Sequence, residues 1–380
     1  MHNTTTDKEL RIYKPLSIYK ELRVIGFAGL LVIILVSAIF WIYPDTNIQP
    51  FNYCLIATSV WLFCWRQTWK RADLNYSAKN SPAFPNLGWA NNLTLLRAGL
   101  IALTSGFLFQ PFPAGMIAWL PGLLYSAAAL LDRIDGFVAR RTNRTSVLGS
   151  ELDTLFDALG LLIAPLLAIQ FGKLHWSFFA VSLAYYIFIF GIYWRHKRNR
   201  PTHPLLPSQL RRAFAGFQMG FVAIVLLPIF PARATTLLGA AFMLPILIGF
   251  VVDWLVVSGR IDGTQTNTLA FFSELDAMSK CLFQPALRII ISTLIFFLIY
   301  IDDLLPSVSA VAIAVFAILI LLGAGARIAA LLLLMLCSYL MNEWYQPALL
   351  FTCSWLLLLG PGNYSLWRGD DIWVNRQDGA

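Results

Sequence analysis

Residues 131–157 read LDRIDGFVARRTNRTSVLGSELDTLFD, a stretch that joins the ends of two apolar runs and carries four aspartates. Asp132 and Asp135 are three residues apart, and Asp153 and Asp157 are four apart, so each pair lies on one face of its helix. The two predicted helices follow one another across a short loop and therefore run antiparallel. The sequence predicts that the four carboxylates meet at one membrane face, the cytoplasmic one.

A cluster of this kind favours a metal site. Four carboxylates at low dielectric repel one another unless a cation lies between them. Hard divalent cations prefer oxygen ligands, which favours Mg²⁺ or Mn²⁺ and also allows Ca²⁺. Two ions about 4 Å apart would activate an attacking oxygen and stabilise a leaving phosphate.

The residues between the aspartates suit phosphate chemistry. Gly136 lets a ligand approach the backbone closely, Ala139 allows close helix packing, and Arg140 can hold phosphate oxygens in a bidentate way. Gly149 is expected to leave room beside the carboxylates. The alternative is purely structural: the aspartates would cap helices and form salt bridges with Arg133, Arg140, Arg141 and Arg144. The spacing favours the metal site.

The composition of the whole chain excludes a water-soluble protein. Of its 380 residues, 58% are hydrophobic and only 13% charged, and the mean hydropathy is +0.67. Apolar runs long enough to cross a bilayer recur along the chain, which predicts an all-α polytopic membrane protein with about twelve transmembrane helices. The predicted spans are 24–43, 50–65, 91–110, 115–131, 151–171, 175–194, 212–230, 235–257, 286–301, 306–322, 328–343 and 347–360.

The basic residues indicate topology. The chain has 28 Lys and Arg against 20 Asp and Glu, a net charge of +8, but the cations cluster at the ends of apolar runs and do not predict a nucleic-acid partner. With a cytoplasmic N-terminus, all fall on the cytoplasmic side except Lys173, Arg233 and the intramembrane Arg97. The positive-inside rule therefore predicts a multi-pass protein of the cytoplasmic membrane with both termini cytoplasmic.

Two polar breaks divide the chain into three predicted domains. Residues 66–90 and 258–285 contain mixed charges and the longest polar stretches between spans. The predicted domains are two leading helices with a linker at 1–85, a six-helix block at 86–262, and four trailing helices at 263–380. The five cysteines form no CxxC pair, so neither a metal-thiolate site nor a disulfide framework is expected.

Residues 132–157 resemble the D-x2-D-G-x2-A-R-x8-G-x3-D-x3-D signature of the CDP-alcohol phosphotransferases, integral membrane enzymes that make phospholipids. Every fixed position of the signature is present. The resemblance covers about 86–260 and implies transfer of a substituted phosphate from a CDP-alcohol, such as CDP-diacylglycerol, to an alcohol hydroxyl with release of CMP. Membrane lipids would be partners, and a homodimer is expected from the resemblance alone.

The resemblance also implies residue roles. Metal would be bound by Asp132, Asp135, Asp153 and Asp157. Asp157 would in addition act as the base on the acceptor hydroxyl, and Asp132, Gly136, Ala139 and Arg140 would contact the CDP moiety.

A second, weaker resemblance lies at the start of the six-helix block. Asn91-x-x-Thr94-x-x-Arg97 is similar to the family's P-N-x-x-T-x-x-R start, with Ala90 in place of proline. Asn91 and Thr94 are therefore expected to contact the nucleotide. The alternative is a capped helix start with a snorkelling arginine at Arg97.

The basic stretch after the fourth helix of the block predicts the acceptor site. Arg195, Arg211 and Arg212 lie where relatives that accept phosphorylated alcohols place cations, which favours glycerol 3-phosphate or inositol phosphate. Topology alone, with attraction to anionic lipid worth roughly 1 kcal/mol per residue, is the alternative. Two other functions stay open: phosphocholine or phosphoethanolamine transfer from a CDP ester to diacylglycerol, and a non-catalytic scaffold or transporter.

Residues 285–368 resemble the small four-helix DoxX-like membrane proteins. The resemblance rests on LGAGAR at 322–327 and LGPGNYSL at 359–366, followed by Trp367 where that family has an acidic residue. Gly323 and Gly325 predict a tight turn, and Arg327 is expected to anchor it at the cytoplasmic face. A structural or partner-binding role is favoured over a redox role.

Overall fold

The computed structural model describes residues 16–78, 81–205, 209–262, 265–301, 307–340, 346–369 and 372, which are helical with short connections and contain no β-strand. The helices are α1 (Leu16–Ile42), α2 (Pro50–Arg71), α3 (Gly88–Ser105), α4 (Leu120–Arg141), α5 (Val147–Gln170), α6 (Phe179–Lys197), α7 (Gln209–Leu226), α8 (Ala232–Val257), α9 (Thr266–Met278), α10 (Gln284–Ile301), α11 (Ser307–Leu322), α12 (Ala326–Leu340) and α13 (Gln346–Leu359).

The predicted all-α membrane fold is confirmed. Each predicted span coincides with a helix, and α9 is an additional short helix in the second polar break. Six helical segments of the described residues are long and apolar enough to cross a membrane: Ser17–Ile42, Gly115–Arg141, Val147–Gln170, Trp176–Lys197, Ala232–Val257 and Ala270–Tyr300. The count of twelve crossings stays a prediction, because α11, α12 and α13 have only 16, 15 and 14 residues.

Two predicted boundaries differ from the helices in an informative way. The first span was expected to begin at 24, yet α1 begins at Leu16, because its charged first turns include the good helix formers Lys20, Glu21, Leu22 and Arg23. The fourth span was expected to end at 131, yet α4 continues to Arg141. Asp132 and Asp135 therefore lie within a regular helix, in which residues three apart share one face.

The described residues form two compact units, of which the first comprises Met1–Phe171 together with Gly220–Pro228. Within it, tryptophans of α2 dock onto glycines of α1. The indole nitrogen of Trp61 donates to the carbonyl oxygen of Gly26 at 3.0 Å, and that of Trp65 to the carbonyl of Leu22 at 2.8 Å. A Cβ added at Gly26 would lie 2.5 Å from the Trp65 indole nitrogen. Glycine therefore permits this close approach between the two leading helices.

Helix α3 is the centre of the first unit. It packs against α2, α4 and α5, whereas α4 and α5 have few contacts with each other. On the α2 side, the buried Tyr53 hydroxyl donates to the Leu103 carbonyl oxygen at 2.8 Å. The two aspartate-bearing helices are thus neighbours in sequence, but α3 lies between them in space.

The second unit comprises Gly172–Met219 and Ile229–Ala380. Helices α10 to α13 pack in it as consecutive neighbours, and α13 also contacts α8, where the Trp355 indole nitrogen donates to the Ala241 carbonyl oxygen at 3.2 Å. Gly323 and Gly325 have φ of 67° and 62°, left-handed values that favour glycine. The tight turn predicted between α11 and α12 is therefore present.

Two buried arginines hold the helix ends in this unit. Arg327 was expected as an anchor at the membrane face, but its side chain is buried and donates to the carbonyls of Leu357 and Leu358 at the end of α13. Arg288 is buried too, and it joins the end of α11 to the segment after α13. Its acceptors are the backbone oxygens of Ile320, Leu321, Pro361, Asn363 and Tyr364 and the Ser365 hydroxyl. Helix C-terminal carbonyls suit a cation.

Replacing Arg288 with methionine is expected to lower the apparent Tm by about 5 °C, since it leaves buried carbonyl groups unpaired at a cost of about 1–3 kcal/mol. Thermal unfolding of the detergent-solubilised protein measures this. The matched control is Arg260→Met, which changes an exposed arginine of the same unit. Equal Tm values for the two variants would contradict the assignment.

Candidate active site

The aspartates are positioned by the turn between α4 and α5. Helix α4 ends where Asn143 adopts a left-handed φ of 51° and the Arg144 amide donates to the Ala139 carbonyl oxygen at 3.0 Å. Helix α5 begins with Ser146 as N-cap, whose hydroxyl accepts from the Gly149 amide at 3.0 Å. Asp153 and Asp157 follow on successive turns of α5. The end of α4 and the capped start of α5 therefore hold the two aspartate pairs on either side of the same loop.

Arg97 of α3 lies at the centre of the acidic cluster. Its Nη1 donates to Asp132 Oδ1 and, at 2.9 Å, to Asp153 Oδ1. Its Nη2 donates to Asp157 Oδ1 at 2.7 Å and to the Asp153 carbonyl oxygen at 3.1 Å. Asp135 Oδ2 is 3.5 Å from Nη1. One guanidinium thus contacts all four carboxylates.

This role of Arg97 is not apparent from the sequence pattern. It was interpreted as part of the nucleotide motif or as a snorkelling residue, but its side chain is only 2% exposed. A signal was present, because a buried arginine in an apolar span requires negative partners and the neighbouring helices carry four. The sequence does not show that α3 lies between those helices.

Three of the four carboxylates are close enough to share a metal ion. Oxygen atoms of Asp132, Asp153 and Asp157 lie within 4.8 Å of one another. The side chains of Asp153 and Asp157 are 47% and 33% exposed, so the cluster is open on the α5 side. Asp135 is buried beside the trio and accepts from the Thr94 hydroxyl at 2.9 Å.

The donor set fits a hard divalent cation. All of the candidate ligand atoms are carboxylate oxygens, the type that Mg²⁺ and Mn²⁺ prefer. Arg97 supplies one positive charge against four carboxylates, so the cluster keeps a surplus of negative charge that a cation would offset.

Two of the residues expected to contact the nucleotide, Asn91 and Thr94, are buried on α3. The Thr94 hydroxyl contacts Asp135 Oδ2 and the Ala90 carbonyl oxygen. The Asn91 amide nitrogen donates to the Leu87 carbonyl oxygen at 2.8 Å and to Asn75 Oδ1 at 3.1 Å. These contacts place Thr94 against the acidic cluster and Asn91 against the start of α5, where Ser146 also meets it.

The small residues of the signature lie at close contacts. A Cβ at Gly136 would lie 3.3 Å from Arg140 Nη1, so that guanidinium extends back along α4. A Cβ at Gly149 would lie 2.8 Å from Asn91 Oδ1. The room that Gly149 leaves is therefore occupied by Asn91. Ala139 is partly buried and lies one turn after Asp135.

The residues predicted to bind the acceptor are only partly described. Arg195, at the end of α6, donates to the Pro201 carbonyl oxygen at 2.7 Å and to the Ser258 carbonyl oxygen at 3.0 Å. Its guanidinium thus holds the segment after α6 against the end of α8. The side chains of Arg211 and Arg212 lie outside the described part of the structure.

Comparisons with known proteins match the segment that contains this site. A family model described as CDP-alcohol phosphatidyltransferase matches residues 87–256. Two relatives from strains of Helicobacter pylori, each a CDP-diacylglycerol–serine O-phosphatidyltransferase, are 36% identical over 88 residues, which is 23% of this chain. The chain spans about a third of the length of these curated relatives. No solved structure matches it.

The matched segment contains α3, α4 and α5 and hence the whole acidic cluster with Arg97. The DoxX-like resemblance of 285–368 stays a prediction. Residues 87–256 therefore match the CDP-alcohol phosphatidyltransferase family, and the comparisons support a transferase.

Proposed function

We propose that residues 87–256 transfer a phosphatidyl group from CDP-diacylglycerol to an alcohol hydroxyl, with release of CMP. The observation that carries this proposal is the trio of Asp132, Asp153 and Asp157 oxygens within 4.8 Å, joined by Arg97 in the segment that matches the family. The proposed domain division at 1–85, 86–262 and 263–380 places the reaction in the middle domain.

In the proposed reaction, Asp157 accepts the proton of the acceptor hydroxyl. The hydroxyl oxygen forms a bond to the lipid-side phosphorus, and the bond from that phosphorus to the CMP oxygen breaks, so that CMP leaves with the electron pair. Arg97 holds the Asp157 carboxylate through the 2.7 Å hydrogen bond, so that its proton-accepting oxygen keeps a fixed orientation.

The same carboxylates would hold the metal ions. We assign Asp132, Asp135, Asp153 and Asp157 as ligands of Mg²⁺ or Mn²⁺, two ions being proposed. When bound, such ions neutralise the developing charge on the phosphate oxygens. On the nucleotide side, Asn91, Thr94, Gly136, Ala139 and Arg140 are proposed to contact the CDP moiety, and the exposed Arg140 guanidinium is suited to its phosphates.

The site is proposed to open at the cytoplasmic face of the cytoplasmic membrane. Arg141 at the end of α4 and Arg144 in the loop before α5 lie between the two aspartate pairs along the chain, and such cations favour the cytoplasmic side. This placement would let a lipid-anchored donor present its water-soluble nucleotide to the cluster. A homodimer remains an expectation from the family resemblance.

Serine is the first acceptor to test, because both Helicobacter pylori relatives are named for it. The prediction of an anionic acceptor rested on Arg195, Arg211 and Arg212. Arg195 is engaged by two backbone carbonyls, which weakens its support for a phosphate-bearing acceptor. Glycerol 3-phosphate and inositol phosphate nevertheless belong in the same assay.

Membranes containing the protein should convert labelled CDP-diacylglycerol and one of these alcohols into a new phospholipid with equimolar CMP. Parallel reactions with CDP-choline or CDP-ethanolamine and diacylglycerol test the alternative donor. Absence of CMP release with every acceptor would favour a scaffold or transporter that keeps the fold, and would overturn the proposal.

Chelation of divalent cations should abolish this activity. Carboxylates without a cation repel both one another and the donor diphosphate, so excess EDTA is expected to reduce CMP release at least on the order of a hundredfold. Adding Mg²⁺ or Mn²⁺ beyond the chelator should restore it, whereas added Na⁺ at equal ionic strength should not. Full activity in EDTA would contradict the metal assignment.

A further inference from the structure

The linker 72–87, between α2 and α3, lies against the start of α5 and the first turn of α3. All of it except residues 79 and 80 is described. It belongs to the same compact unit as the acidic cluster. The contacts of Asn75 and Tyr76 connect it to residues of the candidate active site.

Asn75 is the most buried polar residue of this linker, at 1% exposure. Its Nδ2 donates to the Asn86 carbonyl oxygen at 2.9 Å, which closes the linker on itself. Its Oδ1 accepts from Asn91 Nδ2 at 3.1 Å. A buried amide with both of its ends engaged has one orientation, because turning it over would oppose donor to donor and acceptor to acceptor.

Because Asn91 donates to Asn75 Oδ1, the orientation of Asn75 also determines that of the Asn91 amide. The Asn91 nitrogen is directed at Asn75 and at the Leu87 carbonyl oxygen, and Oδ1 faces Gly149. The Ser146 hydroxyl lies 3.3 Å from the nitrogen and 3.4 Å from Oδ1. Ser146 is the N-cap of α5. Asn75 thus acts on the first turn of the helix that carries Asp153 and Asp157.

A backbone contact next to Asn75 acts on the same turn. The Val147 amide, at the start of α5, donates to the Tyr76 carbonyl oxygen at 2.9 Å. On the far side of the linker, the Arg144 guanidinium donates to Asn86 Oδ1 at 2.8 Å. The linker therefore contacts Arg144, within the turn between the two aspartate helices, and Val147, the first residue of α5.

We propose that the linker is a positioning element of the candidate active site, and that Asn75, through Asn91, holds the first turn of α5, the helix that carries Asp153 and Asp157. This inference rests on the proposed function for its effect on the donor. Asn75 touches no reacting atom, so it is a positioning residue, and its effect is expected on donor affinity more than on the chemical step.

The test compares Asn75→Ala, Asn75→Asp and Tyr19→Phe with the wild-type protein in detergent, with Mg²⁺ present. Asn75→Ala should raise KM for CDP-diacylglycerol on the order of tenfold while kcat changes little. Asn75→Asp keeps an acceptor for Asn91 but opposes a carboxylate oxygen to the Asn86 carbonyl oxygen, so it should raise KM as well. Tyr19→Phe removes only the exposed 2.9 Å hydrogen bond from α1 to Asp73 of the linker, and should leave KM unchanged.

Amide hydrogen exchange of residues 146–150 is measured on the same four proteins and requires no activity. Exchange should be faster in Asn75→Ala and Asn75→Asp than in the wild type and Tyr19→Phe. If exchange or donor KM is unchanged in Asn75→Ala, or if Tyr19→Phe changes them equally, the inference is overturned. If the wild type transfers nothing from CDP-diacylglycerol, the proposed function fails, and the exchange measurement still decides whether Asn75 positions the start of α5.

Discussion

An Asp157→Asn variant is expected to release CMP about 10²–10⁴ times more slowly than the wild type, the range usual for loss of a general base. Asparagine has nearly the same shape and keeps an oxygen that can accept from Arg97 Nη2, so the 2.7 Å contact can persist. It cannot take up a proton at neutral pH. Steady-state CMP release from CDP-diacylglycerol measures the effect.

The kinetic constants show which part of the reaction is lost. Loss of a group that acts in the transition state lowers kcat and kcat/KM together and leaves the donor KM near its wild-type value. The matched control is Asp276→Asn, which removes an exposed carboxylate paired with Lys280 and should keep full activity. Unchanged CMP release by Asp157→Asn would falsify the assignment of Asp157.

Replacing Arg97 with methionine is expected to destabilise the protein by about 3–5 kcal/mol, as when one partner of a buried ion pair is removed. The guanidinium contacts four carboxylates, and methionine leaves them adjacent without a resident cation. Activity should be lost as well, because the orientation of Asp157 depends on Arg97. Thermal unfolding in detergent, with and without Mg²⁺, measures the effect on stability.

The control for Arg97 is Arg71→Met. Arg71 pairs at 3.0 Å with Glu151, on the same helix α5 as Asp153, but the two side chains are 30% and 48% exposed. Such a surface pair contributes about 0–1 kcal/mol. Because a divalent cation would offset the repulsion that Arg97→Met creates, Mg²⁺ should raise the Tm of this variant more than that of Arg71→Met. Equal Tm values and equal responses to Mg²⁺ would refute the role of Arg97.

If Arg97→Met does not fold, Arg97→Lys decides the same question. Lysine keeps the charge but is a single point donor, whereas the planar guanidinium donates to Asp132, Asp153 and Asp157 at once. The lysine variant should therefore fold yet have lower Tm and lower CMP release than the wild type. A lysine variant with the same Tm and CMP release as the wild type would show that the planar guanidinium of Arg97 is not required.

Much of the candidate site was predictable from local pattern. The spacing of Asp132 with Asp135 and of Asp153 with Asp157 predicted two helix faces, and the short loop between them predicted an antiparallel return. The structure confirms that each pair lies on a helix, Asp132 and Asp135 on α4 and Asp153 and Asp157 on α5. Helical periodicity and turn length depend only on nearby residues, so a single sequence is enough to predict them.

The partners of the buried charges were not predictable in this way. Arg97 was expected near the nucleotide or the membrane surface, and Arg327 at the cytoplasmic face, but both are buried. Their acceptors lie 30 or more residues away in the chain. A cation's counter-group is chosen by which helices pack together, and hydropathy carries no information on that choice.

The sequence by itself determined that this is an all-α membrane protein with four aspartates on two successive helices. Only the tertiary structure placed α3 between those helices, so that Arg97 joins all four carboxylates and Asn75 of the linker engages Asn91. The physical reason is that apolar periodicity fixes where a helix lies along the chain, whereas packing of the helices decides which polar groups must satisfy one another in a low-dielectric interior.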